Sequence, residues 1–155
     1  MIERVDPGDA LRLDRLAALH AAAFAENSRG WSAAEIGSLA ANGVLLAEDA
    51  DQGFALVSLA ADEAELLTIA VAPTSRRRGL GGRLLSHAID TARAAGAIAM
   101  HLEVADDNAA ARRLYESQEF AQVARRPGYY RRGAQRVDAL MFTKALRVSP
   151  DQQSL

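Results

Sequence analysis

The sequence predicts a mixed α/β fold in one domain, on three observations. Three apolar runs, Val44–Glu48, Phe54–Ala60 and Glu65–Val71, are joined by short polar turns at Asp49–Gly53 and Ala61–Glu63, which makes an antiparallel meander. Gly79–Ala95 follows, where Leu80, Leu84, Leu85, Ala88, Ile89 and Ala92 form one helical stripe that ends at Gly96. Ile98, Met100, Leu102 and Val104 then share one face of a further strand, with Ala99, His101 and Glu103 on the other. A strand–helix–strand unit of this kind predicts a right-handed crossover.

The other elements follow from local signals. Met1–Val5 reads as a short strand. Asp9–Phe24 carries Leu11, Leu16, Leu19 and Phe24 among alanines and reads as a helix capped by Asp9. Asn27–Trp31 reads as a loop, and Ser32-x-x-Glu35 is a capping box that opens a second helix. Asn108–Ser117 is a further helix. Phe120–Val123 and Val137–Ala145 close the sheet around a loop holding Pro127, Gly128 and Gly133. The result is a partly antiparallel sheet of about seven strands with about four helices. Residues 1–146 are expected to form the domain and 147–155 a flexible polar tail.

Composition narrows the chemistry. The chain has 155 residues, half of them apolar, enough for one real core. It has no cysteine, which excludes disulfides, thiolate metal sites and a cysteine nucleophile. His20, His87 and His101 lack metal-ligand spacing, so no metal is expected. No run is long enough to span a bilayer and no signal-peptide pattern opens the chain, so a cytoplasmic location without membrane contact is expected. Net charge is only −2, but residues 1–70 carry four arginines against twelve acids, and the rest is net basic.

The stretch Leu67–Arg83 leads from a buried strand through an Arg/Gly turn into the apolar helix. Arg76-x-x-Gly79-x-Gly81 brings uncovered backbone N–H groups to a helix start, where they and the helix dipole favour a pyrophosphate. No Gly-Lys-Ser/Thr follows, and the glycines sit too close together, so neither a Walker loop nor a good dinucleotide fingerprint is present. On the turn alone, a glycine-dependent strand-to-helix connection explains the residues equally well. Asn108 and Tyr115, seven apart on one helical face, follow directly after the strand that carries Glu103. One cleft is therefore expected to hold the turn, a carboxylate and a phenol.

The order of these motifs resembles the GNAT family of acetyl-CoA-dependent N-acetyltransferases over nearly the whole chain. Within it, the pattern is most similar to the RimI branch, the ribosomal-protein alanine N-acetyltransferases. That likeness rests on Leu67–Pro73, Arg77-x-Gly79-Leu80-Gly81, Leu102-Glu103-Val104, Asn108–Ala111, Leu114–Ser117, Tyr129-Tyr130 and Asp138-Ala139-x-Met141, with Trp31-Ser32 beside them. Three places depart from the branch. Residues 105–107 are Ala-Asp-Asp, Glu119 replaces a usual glycine, and Gly128 replaces a frequent asparagine.

The resemblance implies a GNAT fold in which the fourth and fifth strands splay apart to admit acetyl-CoA as cosubstrate. It implies that the backbone of Ile69, Ala70 and Val71 pairs with the pantetheine arm. It further implies that the turn residues Arg76, Arg77, Arg78, Gly79, Leu80, Gly81 and Gly82 hold the pyrophosphate, with Asn108 and Tyr115 near the reactive end. Glu103 would be the general base and Tyr115 would protonate or hold the departing thiolate. Trp31, Tyr129 and Tyr130 are expected to touch the acceptor, although the tyrosine pair reads equally well as packing. The expected acceptor is the N-terminal α-amine of an alanine on a ribosomal small-subunit protein or another peptide, drawn by the acidic residues 1–70 and weakened by salt. A small amine, such as an amino acid, polyamine or aminoglycoside, is the second reading. An acyl-CoA-binding module without turnover is the third. Direct nucleic-acid binding ranks last, on the overall acidity and few aromatics.

Overall fold

The structure, a computed structural model, describes residues 1–24 and 30–147. The expected loop over 27–31 and the tail over 147–155 therefore lie largely outside the described residues. The elements run β1 (Ile2–Arg4), α1 (Ala10–Ala23), α2 (Ala33–Ala40), β2 (Gly43–Glu48), β3 (Gly53–Ala60), β4 (Glu63–Val71), a 3-10 turn (Pro73–Ser75), α3 (Leu80–Ala94), β5 (Ala99–Ala105), α4 (Ala109–Ser117), β6 (Ala121–Arg132) and β7 (Gln135–Ala145).

The strands form one seven-stranded sheet in the order β1-β2-β3-β4-β5-β7-β6, antiparallel except for the β4–β5 pair. Alternation along the central strands feeds two cores. Val44, Leu46, Ala55 and Val57 pack with α3, Tyr115 and Phe142 on one face. Leu45, Ala47, Phe54 and Leu56 pack with α1 and α2 on the other. All six residues of the expected α3 stripe are buried. Asp9 caps α1 through the Arg12 N–H at 3.2 Å, and the Ser32/Glu35 capping box is formed in both directions.

The β4–β5 pairing decides where a ligand can enter. It covers only Glu63–Glu65 against Ala99–His101, three positions out of the nine in β4. Against β3, the register of β4 skips one residue, because Leu56 pairs with Thr68 but Val57 with Leu66. Leu67 is thus the extra residue of a β-bulge, which bends the strand and raises its twist. Beyond the bulge, Ile69, Ala70 and Val71 still pair with β3 on one side. On the other side their edge faces a gap.

Three expectations need correction. Leu11 is not a core residue of α1, since it is 74% exposed while Leu13, Leu16, Leu19 and His20 are buried. It lies two residues from Leu13, about 200° round the helix. Ile98 precedes β5 and is 39% exposed, although Met100, Leu102 and Val104 are buried as expected. The largest difference is at the last two strands. Pro127 and Gly128 lie inside a continuous β6, and only Gly133 and Ala134 separate it from β7. The register shift between Arg126 and Tyr130 absorbs the proline and glycine as a bulge. Proline is tolerated there because β6 is the sheet's edge strand.

Candidate active site

The Arg/Gly turn is built as its sequence requires. Gly79 caps α3 with φ +75°, a left-handed conformation natural to glycine, and Arg77 shares that region at φ +65°. No side chain caps the helix, so its first N–H groups stay available to a ligand. At Gly81 and Gly82 an added Cβ would come no nearer than 3.6 Å to another group, Leu114 in both cases. These glycines therefore keep the turn bare rather than relieve a clash.

A groove of about 790 Å³ begins at this turn. Ile69, Ala70 and Val71 line one side, and Arg76, Arg77, Gly79, Leu80, Gly81 and Gly82 line its head. Asp107, Asn108, Leu114 and Tyr115 form the other wall, while Ala23 and Phe24 of α1 and Arg132 of β6 close it. The groove passes through the sheet, since Tyr115 belongs to the core on the α3 face and Ala70 and Phe24 to the core on the α1 face.

Not every arginine of the turn points at this space. The Arg76 guanidinium donates to the Val71 carbonyl at 3.4 Å and to the Ala23 carbonyl at 3.1 Å, which ties β4 to the end of α1. Arg78 is exposed and does not line the groove, and its carbonyl accepts from Arg83 at 3.1 Å. Arg77 lines the groove and remains exposed.

Asn108 caps α4, accepting the Ala111 N–H at 3.2 Å. Tyr115 is held by the way α4 ends. The Phe120 N–H returns to the Tyr115 carbonyl at 3.1 Å and the Glu119 N–H to the Glu116 carbonyl at 3.0 Å, a Schellman motif. Phe120 then packs edge-on against the Tyr115 ring, 6.0 Å between centroids. Glu119 occupies the left-handed position of this motif at φ +69°. Burial pushes the Tyr115 hydroxyl up to about 12, so it stays protonated at neutral pH.

Glu103 does not line the groove. It alternates with Leu102 and Val104, which are buried in the core with Tyr115, so it lies on the opposite face of the sheet. There it is half-buried and accepts a hydrogen bond from the Tyr130 hydroxyl at 3.2 Å. Burial, then the nearby Glu103 charge and this bond, push the Tyr130 phenol up to about 12. The single cleft expected for turn, carboxylate and phenol is thus a passage, with Glu103 and Tyr115 on opposite faces beside the β4–β5 gap.

Of the remaining expected residues, Tyr130 and Trp31 lie on the Glu103 side, while Tyr129 alternates with Tyr130 and faces away. Tyr129 is 54% exposed and meets Tyr130 edge-on at 5.2 Å. Trp31 is away from the groove lining, its ring stacked on His20 at 4.9 Å, and its backbone N–H donates to His20 Nδ1 at 3.2 Å. Burial lowers the His20 pKa, which keeps the ring neutral and able to accept this bond. Sequence reasoning missed Arg132, which lines the groove, lies over the Tyr130 ring at 5.8 Å and pairs with Asp107 at 3.2 Å. Its strand address was hidden by the loop expected around Pro127. Among the described residues, no group of three or more His, Cys, Asp or Glu could hold a metal ion.

A splayed parallel strand pair, a bare helix start at its head and a carboxylate across the gap define an acyl-CoA-type transferase fold, and the chain belongs to the acetyltransferase (GNAT) family, which it matches over residues 4–120. It is 42% identical over 98 residues to a [ribosomal protein bS18]-alanine N-acetyltransferase of Salmonella typhimurium, covering 63% of this chain and 66% of that protein. The protein of the same name from Escherichia coli K12 is 43% identical over 57% of this chain and 60% of its own length. The matched stretch is therefore just under two thirds of these relatives. A crystal structure of the ribosomal-protein-S18-alanine N-acetyltransferase from Escherichia coli superposes with a TM-score of 0.80 at 29% identity, over 97% of this chain and 96% of that one.

Proposed function

We propose that this chain transfers an acetyl group from acetyl-CoA to the N-terminal α-amine of an alanine on a ribosomal small-subunit protein, with both substrates bound together. The observation that carries this reading is the gap between β4 and β5, reached by the pyrophosphate-type turn from one face and by Glu103 from the other. Two substrates can meet there without sharing an entrance. The resemblance of the relatives named above supports the acceptor.

The residues present fit the cosubstrate. The N–H groups of Arg77–Gly82 take the pyrophosphate, and the free edge of Ile69–Val71 offers the N–H and C=O pattern that the pantetheine amides need. Asn108 holds the arm near its reactive end. When bound, acetyl-CoA supplies a thioester carbonyl that an amine attacks directly, forming the C–N bond as the C–S bond breaks. Glu103 takes the proton that the α-ammonium, with a pKa of roughly 7.7–8.0, must lose. Tyr115, with its hydroxyl at about 12, is a weaker acid than a thiol at about 8.5. It therefore holds the departing sulfur by a hydrogen bond rather than surrendering its proton, and the second proton that the nitrogen sheds as the amide forms leaves on that sulfur. Tyr130 receives the first residue of the acceptor, Tyr129 supports its ring edge-on from the other face, and Trp31 braces the α1 wall on the acceptor side.

A small polyamine or aminoglycoside would need free carboxylates. Asp106, Asp107 and Asp138 near the hairpin are instead each paired with an arginine, which favours a peptide acceptor. No helix among the described residues is long and apolar enough to cross a membrane, and the proposed place of action is the cytoplasm. Intact-mass spectrometry tests the reading: incubation with acetyl-CoA should add about 42 Da to the α-amine of a peptide starting Ala-Arg. Acetylation confined to small amines would overturn the acceptor, and no transfer to any amine would overturn the activity.

A further inference from the structure

The β6–β7 hairpin and the adjoining start of α4 carry more arginines than their aspartates can match. Arg112 and Arg125 pair with Asp106 at 2.9 and 3.0 Å, Arg125 also pairs with Asp138 at 2.7 Å, and Arg132 pairs with Asp107 at 3.2 Å. These aspartates are thereby engaged. Arg126, Arg131 and Arg136 remain exposed and, among the described residues, have no carboxylate partner.

These three converge on one surface. Arg131 and Arg136 are directly opposite in the β6–β7 register, so both side chains leave the same face. Like charges placed directly opposite destabilise a strand pair. Tyr129 lies two residues before Arg131 on the same face, and the Arg126 guanidinium lies over its ring at 5.3 Å. The Arg136 stem rests on Gly128, where a Cβ would meet its Cβ at 3.5 Å, and its guanidinium reaches the Gly128 carbonyl at 3.4 Å. Tyr130 and Arg132 point to the other face, toward Glu103 and the groove. The outer face is therefore an exposed phenol framed by three guanidinium groups without a carboxylate partner among the described residues, on the edge strand of the sheet and in ring contact with the acceptor side through Tyr130, with the arginine-paired Asp106, Asp107 and Asp138 lining the depression beside Arg136.

We propose that this outer face, made by Arg126, Tyr129, Arg131 and Arg136, docks single-stranded RNA across the hairpin from the acceptor entrance. Guanidinium groups contact phosphates, and an exposed aromatic ring stacks a base irrespective of its identity. An acidic peptide would satisfy the charges but leave the Tyr129 face unused. The choice of RNA rests on the reading of the acceptor as a ribosomal protein. Direct nucleic-acid binding ranked last on overall acidity and few aromatics near the arginines, whereas the hairpin places Tyr129 between three of them.

Fluorescence anisotropy of the full chain with a labelled single-stranded RNA of about 12 nucleotides tests the site. Three phosphate contacts predict a log–log salt slope of about −2, hence roughly 20-fold weaker binding at about 200 mM than at about 50 mM salt. The double variant Arg131→Gln/Arg136→Gln should bind about tenfold more weakly and lose about 1.4 from the slope. Arg131→Lys/Arg136→Lys should keep the slope, which separates lost charge from lost fold. Acetylation of a free Ala-Arg peptide should be unchanged in both, so failure of the activity and failure of the RNA site read out separately. Absence of RNA binding, a slope unmoved by the glutamine pair, or tighter binding of a polyglutamate peptide than of RNA would each overturn the proposal.

Discussion

Replacing Glu103 by glutamine should separate the chemistry from cosubstrate binding. The carboxylate accepts the Tyr130 hydroxyl at 3.2 Å, and the glutamine amide oxygen can accept the same bond with nearly the same shape. Only the charge and the proton affinity are lost. A general base contributes about 10²–10⁴-fold, which corresponds to about 2.7–5.5 kcal/mol of barrier. Glu103 does not line the groove and lies across the sheet from Tyr115, so acetyl-CoA affinity should stay within about twofold. Thiol release can be followed with a thiol reagent without background, because the chain contains no cysteine. Calorimetry supplies the acetyl-CoA Kd, and circular dichroism verifies the fold. A kcat within about fivefold of the parent would refute the role of Glu103, since the lower bound for a base is about 10². A Kd raised by more than about tenfold, or about 1.4 kcal/mol, would refute the placement of the two groups on separate faces.

The buried phenol and imidazole and the strained end of α4 each make a further prediction. Tyr115 ionises near 12 in the fold and near 10 when unfolded, so the unfolded chain loses its proton first and stability falls as pH rises. The loss should approach about 2–3 kcal/mol between about pH 10 and 12, measured by urea midpoints and reduced in Tyr115→Phe, where the similarly raised Tyr130 phenol still contributes. Burial depresses the His20 pKa, so its contribution is present above the usual value of about 6.5 and is lost as pH falls through the folded pKa. A melting-temperature profile should show this acid loss in the parent, and its persistence in His20→Gln would sink the assignment. Glu119 holds φ +69° where a Schellman motif favours glycine, and its side chain is almost fully exposed, 3.7 Å from Lys144. Glu119→Gly should therefore stabilise the chain by about 1 kcal/mol, seen as a higher urea midpoint with an unchanged m-value.

Elements whose apolar period matches their own burial were legible in the sequence. All six stripe residues of α3 are buried, the meander is antiparallel, and the caps at Asp9 and Ser32 are formed. The groove-lining residues at the turn, Asn108 and Tyr115 were also legible, because a strand-to-helix turn and a seven-residue helical spacing place their groups locally. Leu11 was misread because alanine-rich helices leave the apolar stripe ambiguous, and Leu13 fits the buried side better. The long β6 was missed because proline and glycine normally mark a loop, whereas an edge strand accepts both within a bulge. Arg132 was missed with it.

What the chain determines by itself is the order of its elements and the residue types at the bare start of α3. Those depend on near neighbours, on periods of two and 3.6 residues and on caps. Only the tertiary structure decided that Leu67 is a bulge, that β4 leaves β5 after three paired positions, and that Glu103 and Tyr115 reach the gap from opposite faces. It also decided which arginines are neutralised by Asp106, Asp107 and Asp138 and which remain free to meet an anion. Strand register and ion pairing join residues far apart in sequence, and their energies depend on a geometry that exists only once the sheet has closed.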